Sequence, residues 1–151
     1  MAKFVFKMEN ILKIKRQLEN QERMAYGMAT ARVNEEEEKL RVLMTRRIEY
    51  ENKAKDLVSG SLKVNEIISN RNSINVMKSM IRAQMIEVQT ARKNQELARK
   101  KLNDAMTERK IYEKLKEQAF ENFKKEIIYE ENKINDELVS YRYQLSDEDE
   151  A

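Results

Sequence analysis

Paired carboxylates are the residues whose types and spacing could support general acid–base chemistry. They occur as the run Glu35–Glu38 and as the neighbours Glu130 and Glu131. Such chemistry needs a walled pocket that shifts the pKa of one carboxyl group. A chain with 38% charged residues and only 7% aromatic residues favours solvent-exposed faces instead, so we predict that these carboxylates are solvated and that the protein is not an enzyme.

Residue types that are absent from the chain exclude several other kinds of site. The sequence contains 0 Cys and 0 His, which excludes a disulfide framework, a Cys or His zinc site and a His general base. Its 2 Gly are too few for a glycine-rich phosphate loop. We therefore predict no catalytic residue, no metal ligand and no cofactor.

Basic residues of the second half of the chain could follow a phosphate backbone. They are Arg92-Lys93, Arg99-Lys100-Lys101 and Arg109-Lys110. No aromatic residue is interleaved with them and acidic residues interrupt them, so nucleic-acid binding is not expected and an acidic protein partner fits at least as well. Residues 59–118 carry a net charge of +6 and residues 119–151 one of −6, within a total of +3.

Long helices must position these side chains, because a chain with 0 Pro and 2 Gly has few helix breakers. The sequence predicts an all-α fold, an antiparallel two-helix coiled-coil hairpin with unequal long helices. It is predicted to be a single coiled-coil domain over residues 1–151. The expected segments are helix one at about 4–58, a tip at 59–73, helix two at about 74–143 and an acidic tail at 144–151, whose end frays.

Two polar segments interrupt the helical pattern near the middle, Ser59-Gly60-Ser61 and Ser69–Ser73. A glycine directly after the last apolar positions suits a helix C-terminus, and Asn72 or Ser73 can cap a following helix. Two interpretations stay open. The tip is either a loop, a short helix and another loop, or a single loop at Gly60 followed by a continuous second helix.

Apolar residues recur at steps of three and four, the spacing of a coiled-coil seam. The predicted seam of helix one has a polar stretch with a one-residue drift at Glu35–Glu38, which we expect to be solvated and helical. Its members are Phe4, Ile11, Ile14, Leu18, Ala25 and Met28 before the drift, and Leu40, Leu43, Arg47, Tyr50, Ala54 and Leu57 after it. The predicted seam of helix two is Ile74, Met77, Ile81, Gln84, Val88, Ala91, Gln95, Ala98, Leu102, Ala105, Arg109 and Tyr112, continued less strictly by Leu115, Ala119, Phe123, Ile127, Ile134, Leu138 and Tyr141.

Methionines near the start of helix two surround that helix more fully than one partner helix can cover. The apolar residues concerned are Met77, Met80, Ile81, Met85 and Ile86. Because methionine side chains adapt to many partners, we predict a docking patch there, with packing in the core as the competing interpretation. The predicted partner-binding residues at this end are Leu43, Tyr50, Met77 and Met80.

Motifs along nearly the full chain carry a family resemblance. They are Phe4-Val5-Phe6, Ile11-Leu12-Lys13-Ile14-Lys15, Glu19 or Glu22, Leu40, Leu43, Glu49-Tyr50, Ala105, Glu108-Arg109-Lys110, Glu113-Lys114-Leu115-Lys116, Glu130 and Asp136-Glu137. The whole pattern resembles the FliJ family of flagellar export proteins.

The resemblance implies a non-enzymatic stalk of the flagellar type III export apparatus, similar in shape to the γ subunit of rotary ATP synthase. The paired termini would enter the export ATPase hexamer and promote its assembly and activity. The other end would reach the cytoplasmic part of the membrane export gate, and export chaperones would bind as well. The residues implied on the ATPase side are Phe4, Phe6, Lys124, Asp136, Glu137 and Arg142.

Two alternative functions remain open from the sequence: a generic structural coiled-coil scaffold or homodimer, and a rod associated with nucleic acid. A break near the middle favours the hairpin. No apolar stretch approaches the roughly 20 residues of a transmembrane helix. We therefore expect a cytoplasmic protein without direct membrane insertion, and the resemblance implies peripheral association with the cytoplasmic face of the membrane at the flagellar base.

Overall fold

The computed structural model describes residues 2–60 and 63–150, which form two α-helices and, within those ranges, no strand. Helix α1 is Glu9–Ser59, with 51 residues, and helix α2 is Val64–Glu150, with 87 residues. The helices pack against each other in antiparallel order, so the predicted all-α hairpin with unequal helices is confirmed.

Helix α1 begins five residues later than expected from the sequence. Phe4 and Phe6 lie in an irregular segment, and the first turn is closed by the Glu9 amide, which donates to the Phe6 carbonyl at 3.2 Å. The acidic Glu9 side chain in the first turn suits the positive end of the helix dipole. The helix ends at Ser59, directly before Gly60, where the Ser59 hydroxyl donates to the Asp56 carbonyl at 3.0 Å.

Helix α2 begins at Val64 and runs without a break through Ser69–Ser73. The interpretation with a short helix and a second loop is therefore wrong. Helix α2 begins ten residues before the predicted start at residue 74. Two polar side chains of this segment donate hydrogen bonds in the helical structure. The Ser73 hydroxyl donates to the Ser69 carbonyl at 3.1 Å, and the Asn70 amide donates to the Tyr50 carbonyl at 3.0 Å. Ser61 and Leu62 lie outside the described residues.

The C-terminal end of α2 also differs from the expectation of a helix to about residue 143 followed by a fraying tail. Helical structure continues to Glu150. No Pro or Gly follows Gly60 in the sequence, so nothing in the residue types stops the helix.

The chain divides into two compact units. Unit 1 combines residues 1–18 with residues 106–151, and unit 2 comprises residues 19–105. The single coiled-coil domain over residues 1–151 stays a prediction.

Unit 2 is held together by a continuous seam between its two helical segments. Its most buried apolar side chains, between 4% and 9% exposed, are Val33, Met77, Ile81, Val88 and Ala91. Buried and half-buried residues follow one another along the seam in steps of three and four. They are Glu19, Glu22, Tyr26, Ala29, Val33, Glu36, Leu40, Leu43, Arg47, Tyr50, Ala54 and Leu57 on α1, and Ile67, Asn70, Ile74, Met77, Ile81, Gln84, Val88, Ala91, Gln95, Ala98, Leu102 and Ala105 on α2, while Thr30, Glu37, Glu51 and Ser73 are half-buried beside it. This strict heptad spacing is the signature of coiled-coil packing.

Unit 1 has a short core around Leu12, whose exposed fraction is 0%. The α1 side contributes Leu12 and Lys15, and the α2 side contributes Arg109, Tyr112, Lys116, Ala119 and Phe123. Leu115, predicted in the seam, is 37% exposed, because the heptad continues one residue further on at Lys116.

The predicted register of the first part of α1 is wrong by one residue. Ile11, Ile14 and Leu18 are 39%, 53% and 41% exposed in unit 1, and Met28 is 74% exposed in unit 2. The buried face instead includes Lys15 and Glu19, long side chains whose aliphatic parts pack while their charged ends pair with other residues. Residue type alone therefore pointed to the neighbouring face of the helix.

Candidate partner-binding surfaces

The carboxylates of the Glu35–Glu38 run bind cations rather than one another. Glu35 and Glu36 contact Arg32 at 3.5 and 2.9 Å, and Glu38 contacts Arg41 at 2.6 Å. Glu37 reaches across to Arg92 on α2 at 2.8 Å. No group of three or more His, Cys, Asp or Glu residues within the described ranges has a geometry that could hold a metal ion.

Glu36 is the exception to the expectation that this run is solvated, because only 3% of its side chain is exposed. The Gln84 amide donates to the Glu36 carboxylate at 2.5 Å and to its backbone carbonyl at 2.9 Å. The hydrogen bond from Gln84, and the nearby Lys39 and Arg32, lower the pKa of Glu36 against the cost of desolvation. A carboxylate thus occupies the unit 2 seam in its charged form.

Asn70 is a second polar side chain in the seam of unit 2, with 6% exposure. Its amide nitrogen donates to the Tyr50 carbonyl at 3.0 Å, while its side-chain oxygen has no hydrogen-bond partner among the described atoms. Buried polar groups of this kind can fix the register of a coiled coil at a cost in stability. Asn70 lies four residues before Ile74, so extending the predicted heptad backwards would have found it.

The four residues predicted to bind a partner near the tip do not form one exposed patch. Met77 is 9% exposed in the seam, and Leu43 and Tyr50 are half-buried there. Met80 is 44% exposed, and Val76, one turn away, is 54% exposed. Met80 is therefore the most exposed of the four predicted residues, and Val76 is an exposed apolar neighbour that the prediction did not include.

Phe4 and Phe6 attach the N-terminal segment to α2 in unit 1. The Phe4 ring lies edge-on to the Phe120 ring at 5.1 Å and tilted to the Phe123 ring at 5.5 Å, measured between centroids. Phe6 is only 8% exposed. Aromatic contacts of this geometry add to the burial of apolar area, so both residues serve packing rather than an open surface.

Lys124 borders this aromatic cluster. Its ammonium group lies 4.5 Å from the centre of the Phe120 ring and 3.5 Å from the Glu121 carboxylate. The side chain is about half exposed. Lys124 can therefore contact a partner only at the edge of a surface already organised by the phenylalanines.

The C-terminal part of α2, which we call the overhang (residues 128–150), carries the remaining predicted residues. All side chains of residues 128–149 are exposed, including Asp136, Glu137 and Arg142, and none of these three makes an ion pair with a described residue. Large apolar side chains are exposed beside them: Ile128, Tyr129, Ile134, Leu138, Val139, Tyr141, Tyr143 and Leu145. The overhang is thus a helix whose apolar side chains have no partner within the described part of unit 1.

Comparison with known protein families gives a match to the family described as flagellar FliJ protein, over residues 4–148. The chain belongs to the FliJ family. Neither a comparison with curated proteins nor one with solved structures gives a match. The resemblance inferred from the sequence is therefore confirmed, and the chain has a role related to flagellar protein export.

The FliJ match includes both helices and nearly all of the overhang, since it ends only two residues before the end of α2. The exposed overhang therefore lies within the family's own sequence pattern. Within the described ranges, neither helix contains an apolar stretch long enough to cross a membrane.

Proposed function

We propose that this FliJ-family chain is a non-enzymatic stalk and adaptor of the flagellar type III export apparatus. Unit 1 enters the export ATPase hexamer, promotes its assembly and raises its activity. The observation that carries the proposal is the overhang, 22 consecutive exposed residues that continue α2 and lie within the family match up to residue 148. A helix that retains exposed apolar side chains is suited to a protein partner.

The ATPase-side residues divide into two groups. Asp136, Glu137 and Arg142 are exposed and make no ion pair within the described residues, so they are available to charged groups of the ring. Phe4 and Phe6 hold the N-terminal segment against α2 and act as positioning residues. Lys124 lies at the boundary between these groups. Charged contacts of this kind suit an interface that must form and release, because they are hydrated and depend on salt.

Unit 2 contacts the cytoplasmic part of the membrane export gate through the exposed side chain of Met80, with Leu43, Tyr50 and Met77 supporting it from the seam. Methionine suits this role because its flexible thioether adapts to the partner surface. Export chaperones are the third class of partner. The protein acts in the cytoplasm, peripherally associated with the cell membrane at the flagellar base.

The deciding experiment measures ATP hydrolysis by the cognate export ATPase with and without this protein. The full chain is expected to increase the rate, and a chain that ends after residue 127 is expected to lose the increase because it lacks the overhang. Circular dichroism should show that the shortened chain keeps its helical hairpin.

The matched control is Ile48→Asp, a change at a 56% exposed residue of unit 2, which should stimulate as the unchanged chain does. Full stimulation by the chain that ends after residue 127 would show that the overhang is not the part that acts on the ATPase.

A further inference from the structure

The overhang carries a second seam that has no partner helix among the described residues. Ile134, Leu138, Tyr141 and Leu145 follow one another in steps of four, three and four, and between 43% and 60% of each is exposed. This is the spacing that coiled-coil helices use to pack against another helix. The charges around the seam are mostly negative, because residues 128–150 contain 8 Asp or Glu and 2 Lys or Arg, a net charge of −6.

The paired part of unit 1, residues 2–18 with 106–127, exposes five large apolar side chains along one side, beside Glu108, whose carboxylate pairs with Lys15 at 3.4 Å. The seam positions alternate between two kinds. Ile11, Leu18 and Leu115 directly precede positions of one kind, and in an antiparallel pair these residues lie on the same side of both helices. Ile14 and Ile111 directly precede positions of the other kind and lie further from the seam on that same side. The exposed fractions of these five residues are between 37% and 53%.

The opposite side of the paired part is charged and already engaged. Arg16 pairs there with Glu113 across the two helices at 3.5 Å. Over the whole paired part, 11 Lys or Arg and 6 Asp or Glu residues give a net charge of +5. The apolar face is therefore carried by a positively charged body, whereas the overhang is apolar and negatively charged.

We propose that these two surfaces bind each other between two copies of the chain. In this dimer, the overhang of one copy packs across the face formed by Ile11, Ile14, Leu18, Ile111 and Leu115 of the other, and the reverse contact forms by twofold symmetry. The overhang is long enough, since 23 helical residues extend about 35 Å while residues 9–18 of α1 extend about 15 Å. Pairing of two overhangs with each other is opposed by the net charge of −6 on each.

The dimer covers the overhang and so removes Asp136, Glu137 and Arg142 from contact with other proteins. If unit 1 acts on the export ATPase, a consequence that rests on the proposed function, the dimer is a reserve form that must dissociate before the chain enters the ring. The dimer itself does not depend on that function, and it is tested on the protein alone.

Sedimentation equilibrium of the full chain is expected to show a dimer that weakens as the salt concentration rises. Ile14→Asp on the face and Leu138→Asp on the overhang should each weaken the dimer at least about tenfold, because each brings a charge into an apolar contact. Both residues are more than half exposed, so circular dichroism should show unchanged helix content. Ile48→Asp, a similar change at an exposed residue of unit 2, should leave the dimer unchanged. A monomer at every concentration, or a dimer that neither variant weakens, would overturn the proposal.

The arrangement of the two copies is tested by cross-linking, which is clean because the chain has 0 Cys. Copies with Gln17→Cys are mixed with copies with Ser140→Cys and treated with a short thiol-reactive cross-linker. The expected product joins residue 17 of one copy to residue 140 of the other. A product that joins only residue 140 to residue 140 would show that the overhangs pair with each other, and the proposal would be wrong.

Discussion

Individual residues in the seam decide how this hairpin responds to pH. Glu36 is ionised and almost fully buried, held by Gln84, Arg32 and Lys39. Its folded-state pKa lies below the ordinary value of 4.5. Ionised Glu36 therefore contributes stability that is fully present above pH 4.5 and is lost as the pH falls through the folded-state pKa.

Glu36→Gln tests this contribution. The glutamine keeps an acceptor for Gln84 but removes the charge, so the variant should be less stable than the unchanged chain at pH 7 and should lose less stability between pH 5 and pH 3. Urea denaturation at several pH values measures the difference. Glu35→Gln is the matched control, because Glu35 is 62% exposed and its ion pair with Arg32 is longer, at 3.5 Å. Parallel loss of stability in the Glu36→Gln variant and the unchanged chain would contradict the assignment.

Asn70 lies in the seam, although the predicted seam began only at Ile74. One of the two open interpretations of the tip placed Asn70 in a loop, because Asn and Ser favour turns. In the structure its amide bonds across to the Tyr50 carbonyl, and this contact between helices is available only because the heptad brings residue 70 to the seam. Local preference and long-range packing disagreed here, and packing determined the structure.

At the scale of the helices, the α2 seam between residues 74 and 112 was predictable because its positions are mostly apolar or small. The first part of the α1 seam was not predicted, since Lys15, Glu19 and Glu22 occupy it while isoleucine and leucine lie beside it. Counting back in sevens from Leu40 reaches Val33, Tyr26, Glu19 and Leu12, the buried positions. The heptad was continuous, and the apparent drift came from weighing residue type above spacing.

Two neighbouring residues test the corrected register of α1. Leu12→Ala should lower the free energy of unfolding by about 2–4 kcal/mol, because Leu12 is 0% exposed and its truncation leaves a cavity. Ile11→Ala should cost less than about 1 kcal/mol, because Ile11 is 39% exposed. Denaturation in urea measures both. Equal losses, or a larger loss at Ile11, would restore the register first inferred from the sequence.

At the scale of the molecule, the family and the uneven distribution of charge along the chain could be predicted from the sequence. Which of the predicted binding residues are exposed could not. Asp136, Glu137 and Arg142 are exposed because α2 continues beyond the residues that pair with it, and that follows from unequal helix lengths. Predicting that Leu43 and Tyr50 are half-buried requires the correct heptad register of α1. The identity of the partners comes from the family alone, since a helix surface does not specify its ligand.

The two proposed contacts should be separable by mutation. Met80→Asp is expected to weaken binding to the cytoplasmic part of the export gate at least about tenfold, because a charge enters an apolar contact. It should leave stimulation of the ATPase intact. Binding is measured with the purified gate fragment, and Met28→Asp, at a residue 74% exposed in the same unit, is the matched control. Equal weakening by both variants would remove Met80 from the contact.

The unpacked overhang also affects how the chain binds a partner at this surface. Most of the stability of a helix in a protein comes from packing of its apolar face, and the overhang has no such packing within the described part of unit 1. Its backbone amides should therefore exchange with solvent deuterium much faster in the monomeric chain than those beside Leu12 or Val88, and slow down when a second copy or another partner binds. Ordering the helix then opposes association, so a large contact area produces only moderate affinity. The cost of ordering the overhang helix would therefore make its binding to a partner reversible.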